Sequence, residues 1–191
     1  MTGGDKHEYV NLTNQFLVAM PTLMDPNFHR TVTYICEHSA EGAMGIVVNR
    51  PLDIELGEIM AQMDIEAGSA LGGVHAYYGG PVDMARGFVL HTPIGEWEAT
   101  LKIAEGIGVT SSRDILMAMA RGAGPDKAIV ALGYSGWGAG QLESELAQNA
   151  WLTCPANVDI MFDTDCERKL EAAAADLGVD LNSLTTSAGH A

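Results

Sequence analysis

AIVALGYSGWGAGQLESELAQNAW, residues 128–151, reads as strand, turn, helix and strand in succession. Ile129-Val130-Ala131-Leu132 is an apolar run of strand length. Gly133 to Gly140 holds four glycines in eight residues, a density suited to a turn that needs positive φ or close backbone approach. Gln141 to Gln148 is a helix of two turns. Asn149 is its left-handed stop, and Trp151-Leu152 opens the next strand.

The same unit narrows the chemistry. Strand, glycine turn and helix can cradle an anion at the helix N-terminus. Here the turn carries no Lys or Arg, and Glu143 and Glu145 stand in the first helical turn. A phosphate about 6 Å from either carboxylate would be repelled by roughly 1–3 kcal/mol per charge. Gly133-x-Ser135 resembles a hydrolase nucleophile elbow, but Trp137 occupies the position of the second glycine. Ser135 therefore reads as a turn serine, and Trp137 as a side chain closing over the core.

Outward from this unit, Phe16 to Met20 is a strand apolar on both faces. Thr31 to Glu37 and Met44 to Asn49 form a hairpin that Arg50-Pro51 ends. Leu56 to Met63 is a short helix with methionines as core filler, and residues 67–73 are a loop. Val74 to Tyr78 is a strand running into the rigid corner Gly79-Gly80-Pro81, where Pro81 holds Gly80 extended. Strands follow at Gly87 to Thr92, Trp97 to Ile103 and Ile107 to Val109. Ser111-x-x-Asp114 resembles a capping box for a helix that Gly122 stops. Val158 to Phe162 is predicted as a final strand. Thr164-x-x-Glu167 caps a helix with the stripe Cys166, Leu170, Ala173, Ala174 and Leu177, closed by Gly178; residues 183–191 form a surface tail.

These elements predict an α+β protein of eight or nine strands: a single domain (residues 15–191) with a mixed, strongly curved, barrel-like sheet flanked by about four helices. Residues 1–14 form a polar lead-in.

The chain has 25 acids against 10 Lys plus Arg, a formal net charge of −15. Direct nucleic-acid binding needs clustered cations and is disfavoured. No apolar run approaches the ~20 residues of a membrane span, and no signal-peptide core is present, so a cytoplasmic protein is expected. Cys36, Cys154 and Cys166 have no zinc spacing, and the six histidines form no sequence-local pair. Neither metal nor cofactor is expected, and no catalytic set is recognisable.

Phe16-Leu17-Val18-Ala19-Met20-Pro21 with Asp25 and Phe28 resembles the opening of the AlgH/YqgE family. So do the run Gly42 to Pro51, Gly79-Gly80-Pro81-Val82, the run Gly133 to Glu145, Asn149-Ala150-Trp151 and the ending Gly189-His190-Ala191. A departure is Lys169-Leu170, near where many members carry a Trp; it is read as touching packing and not chemistry. The resemblance implies a bacterial α+β domain, labelled a transcriptional regulator of alginate production, and supplies no catalytic residue.

The expected function is therefore a non-catalytic binding or regulatory protein with an unidentified protein or small-molecule partner. Its groove is placed where the corner Gly79, Gly80 and Pro81 meets Gly136 and Trp137, with Asp25, Arg30, Asn49, Arg50, Gln141 and Glu145 as polar lining. Each polar residue also has a structural reading: Asn49 capping a turn, Arg50 pairing with an acid, Gln141 capping its own helix. The alternative is a hydrolase using Asp25, Glu143 or Glu145 with a water.

Overall fold

A computed structural model describes residues 10–187. Ten strands and six α-helices occur among them. The chain opens with β1 (Gln15–Ala19), β2 (Val32–Ser39), β3 (Gly42–Val47), β4 (Pro51–Glu55) and α1 (Leu56–Gln62). Then come β5 (His75–Tyr78), β6 (Val82–Thr92), β7 (Thr100–Ala104), β8 (Ile107–Thr110) and α2 (Arg113–Ala120). The remainder is β9 (Lys127–Gly138), α3 (Gln141–Ala147), β10 (Trp151–Pro155), α4 (Val158–Phe162), α5 (Cys166–Asp176) and α6 (Leu181–Ser187).

The strands make one sheet curled into a half-barrel, eight of them in the order β10-β1-β2-β3-β9-β6-β8-β7, with β4 paired to β5 and β5 to β9 off that path. Every pairing is antiparallel except β5 on β9, so the sheet is mixed, as expected. Alternate side chains explain its two buried faces. Phe16 and Val18 join Tyr34, Ile46, Leu90 and Ile129 on the face covered by α4 and α5. Leu17 and Ala19 point the other way, into a cluster with Trp137, Leu142 and Trp151 under α3. On that same side, Val89 and Val130 pack with Leu56 of α1 and Ile115 of α2.

Several sequence expectations need correction. The glycine-rich segment is not a turn up to Gly140: β9 continues through Gly138, and only Ala139-Gly140 bends. Gly136 and Gly138 serve strand contact, pairing with Met44 and Gly42 of β3. Val158–Phe162 is a helix, because the Asn157 side chain accepts hydrogen bonds from the Asp159 and Ile160 amides at 3.0 and 3.2 Å. Pro51 opens a further strand, β4, at an outlying position of the sheet where a missing N–H is tolerated. The helix starts lie one residue later than the boxes suggested, with Ser112 and Asp165 at the caps. In α5 the buried set includes Lys169, whereas Leu177 is exposed. The expected tail begins instead as helix α6, in which Leu184 packs against the core, and the Gly189-His190-Ala191 ending lies outside the described residues.

Between β5 and β6 the chain passes across β9. Tyr78 pairs with Leu132 on one edge of β9, and Val82 pairs with Tyr134 on the other. Gly79, Gly80 and Pro81 make that crossing backbone against backbone. A Cβ on Gly79 would lie 2.3 Å from the Gly133 oxygen, and one on Gly133 would lie 2.5 Å from the Gly80 oxygen. The crossing is anchored by the Val47 amide and the Ser135 hydroxyl, which both donate to the Gly79 carbonyl, at 2.9 and 3.2 Å.

Candidate functional site

The residues expected to line a groove fall into two linked groups. Asn49 and Arg50 sit beside the corner, where the Tyr78 amide donates to the Arg50 carbonyl. The Asn49 side chain accepts from the Val32 amide and donates to the Arg30 carbonyl, both at 2.9 Å. The Arg50 guanidinium donates to the carbonyls of Pro26, Asn27 and His29 at 2.9, 2.9 and 2.7 Å, and lies over the Tyr78 ring. Asp25 accepts from the Asn27 amide. The Arg30 side chain is 61% exposed and stands 3.8 Å from Glu171. These contacts clamp the connection between β1 and β2.

The second group surrounds Trp137, which is 5% exposed. The indole N–H groups of Trp137 and Trp151 both donate to one Glu145 oxygen, at 2.6 and 3.1 Å. Gln141 accepts from the amide of Gly138, the last residue of β9, at 3.0 Å, and does not cap its own helix as expected. Gly136 lies in β9 opposite Met44. Phe28 stacks on Trp137 and thereby joins the two groups. Of the two acids placed in the first turn of α3, only Glu143 lies there, and it accepts from the His38 ring at 2.7 Å. His38 Nδ1 in turn accepts from the Leu12 amide, which leaves Nε2 as the protonated nitrogen. Backbone contact and His38 together hold the Glu143 carboxyl below its ordinary range, against the opposing effect of desolvation. Asp25, Glu143 and Glu145 are thus each engaged by protein donors.

A further concavity lies on the other side of the crossing. After Val82 the chain bulges: five steps along β6 to Gly87 span two steps of β9, so three residues are extra. Asp83 has a φ of +50° in this bulge, and residues 82–86 are exposed. Together with α1, α2 and the end of β4, the bulge encloses a cleft of about 580 Å³. Val89, Val130 and Leu132 form its floor, with Ile59, Met63 and Leu116 as walls. Ile54 and Met84 at the lip are 38% and 42% exposed.

Polarity in the cleft is one-sided. Arg86 and Arg113 line it, and among the described residues no acid does. Arg86 rests over the Phe88 ring at 5.0 Å, and Arg113 donates to the Met63 carbonyl at 2.7 Å. Among the described residues neither pairs with a carboxylate. Thr110 at the edge is hydrogen-bonded to His91, whose burial pushes its imidazole below the ordinary value. An apolar hollow of this size with few convergent polar groups is typical of a small-molecule site. Sequence reading missed it because its residues come from four separated segments. Met63 reads as core filler, and Met84 and Arg86 lie in an exposed bulge without periodicity.

Comparison with known proteins places this architecture. Residues 16–182 match a family model described as AlgH-like. A UPF0301 protein of Thioalkalivibrio sulfidiphilus is 56% identical over 181 residues, covering 95% of this chain and 97% of that protein. One from Hahella chejuensis is 53% identical, covering 94% and 96%. The solution structure of the AlgH protein from Pseudomonas aeruginosa matches with a TM-score of 0.79 at 47% identity over the whole of both chains. A crystal structure of a Corynebacterium diphtheriae protein shares the fold alone, with a TM-score of 0.63 at 18% identity and 79% coverage of each chain. The chain belongs to the AlgH-like family.

Proposed function

We propose that this chain is a non-catalytic, cytoplasmic binding protein of regulatory type, whose ligand is a small amphiphile with an apolar body and an acidic end. The observation that supports this most is the cleft beneath the β6 bulge: apolar walls, two arginines and, among the described residues, no acid, in a chain of net charge −15. The apolar body would displace water from Leu132, Val130 and Leu116, worth about 0.8 kcal/mol per buried methylene. The acid group would meet Arg86 and Arg113 at the rim, where a charge-assisted hydrogen bond contributes about 1.5–3 kcal/mol.

The groove expected between the two glycine segments fits this reading in a modified form. The corner generates the bulge, and the bulge forms the lip of the cleft. Asn49, Arg50, Gln141 and Glu145 then act as framework that holds the crossing and the β1–β2 connection in place.

Thermal unfolding with decanoate and with decanol tests the reading. Binding to the native state alone raises the melting temperature. Decanoate should raise it more than decanol, and Arg113→Met should erase the difference. Equal effects of acid and alcohol, or no effect of either, would refute the proposal.

A further inference from the structure

Away from the cleft, three reactive side chains meet between α5 and β5. Cys166 opens α5, and Lys169 lies one turn on, on the same helix face. The Cys166 thiol donates to the Tyr77 hydroxyl at 3.2 Å. The Lys169 ammonium also engages Cys166, and it stands 5.3 Å over the Tyr77 ring.

Lys169 is the anomaly. It is 1% exposed, and among the described residues it forms no ion pair with a carboxylate. Its one oxygen acceptor there is the Val48 carbonyl, at 2.8 Å. An ammonium has three donors, and a buried charge without a counter-ion is costly. A thiol sulfur is a weak acceptor, whereas a sulfur anion would be a strong one. The cluster is therefore a buried cation and a phenol facing a sulfur that can supply the missing negative charge. Burial pushes the Lys169 ammonium below its ordinary value, Cys166 acting in the opposite sense; burial, then the Cys166 hydrogen bond, pushes the Tyr77 phenol up and keeps it a donor.

We propose that Cys166 is a peroxide-modified thiol, with its thiolate and the sulfenate made from it held by Lys169 and Tyr77. The thiolate sulfur attacks one oxygen of hydrogen peroxide. An S–O bond forms and the O–O bond breaks. Sulfur loses two electrons, and the other oxygen leaves as hydroxide. That hydroxide takes the proton of the nascent sulfenic acid, so the products are a sulfenate and one water. The sulfenate oxygen then takes the ammonium and phenol hydrogen bonds. The other two cysteines lack this arrangement. Cys36 and Cys154 are buried; burial raises both thiols, Cys154 to about 11, with Asp176 adding to the effect. Cys166 is half-buried, within reach of a small oxidant.

The test treats the full chain with a few equivalents of hydrogen peroxide, traps sulfenate with dimedone and maps the adduct by mass spectrometry. The adduct should fall on Cys166, at a rate about tenfold above that of glutathione at the same pH. Lys169→Met should slow it about tenfold, and Lys169→Arg should retain most of the rate. Should Lys169→Met fail to fold, Tyr77→Phe provides the second variant and should slow labelling several-fold. Labelling no faster than glutathione, labelling chiefly at Cys36 or Cys154, or an unchanged rate in the folded variants would overturn the proposal.

Discussion

A Cβ placed on Gly80 would lie 2.1 Å from the carbonyl carbon of Tyr134. No side chain fits in that space, and Gly80 has a φ of +155°. The contact is the point at which the chain leaves one edge of β9 and reaches the other. The bulge, the lip of the cleft and the pairing of Val82 with Tyr134 all follow from it.

Gly80→Ala should therefore destabilise the protein by about 3 kcal/mol or more, because backbone has to move and not only a side-chain tip. Gly140 is the control: its φ is +74° and a Cβ there would meet nothing within 4 Å. Gly140→Ala should cost only the left-handed penalty, about 1–2 kcal/mol. Urea denaturation of both variants checks the ranking.

Much of this fold can be read locally. The strand Phe16 to Met20, apolar on both faces, is β1 between two buried layers. Asn149 has the left-handed φ, +58°, that its place after α3 demands. The misread elements share a cause. Glycine serves a turn and a close strand approach alike, and only the distant partner β3 shows that Gly136 and Gly138 belong to β9. A five-residue stretch such as Val158–Phe162, apolar but for Asp159, fits helix or strand equally until Asn157 is seen to cap it. The cleft was illegible because Ile54, Met84, Arg113 and Leu132 meet only through the sheet crossing.

Asn157→Ala should cost about 1 kcal/mol, since it strips a side-chain acceptor from two amides of α4. Asn157→Asp should retain most of the stability. Melting temperatures of the two variants separate capping from general disturbance.

Glu145→Ala should cost about 2 kcal/mol, because two indole N–H groups lose one shared acceptor. Tryptophan emission should shift to the red. Glu145→Gln keeps an acceptor oxygen and should lie between the alanine variant and the native chain.

His91 sets an acid limit. It is fully buried, with Nδ1–H donating to the Pro93 carbonyl and Nε2 accepting from the Thr110 hydroxyl. Burial lowers its proton affinity in the folded state, and the Pro93 bond offsets part of that. The unfolded chain thus binds this proton more readily. The contribution is fully present above the ordinary histidine value of 6.5 and is lost as pH falls through the lowered folded value. The fall in unfolding free energy from pH 7.5 to 5 should be smaller in His91→Gln than in the native chain.

The most direct measurement on the binding account is amide chemical-shift mapping of the labelled protein titrated with decanoate. Saturable shifts should concentrate at Met63, Met84, Gly87, Arg113 and Leu116, all on the cleft. Saturable shifts centred on Gly136 to Glu145 instead, or an unchanged spectrum at saturating ligand, would contradict it.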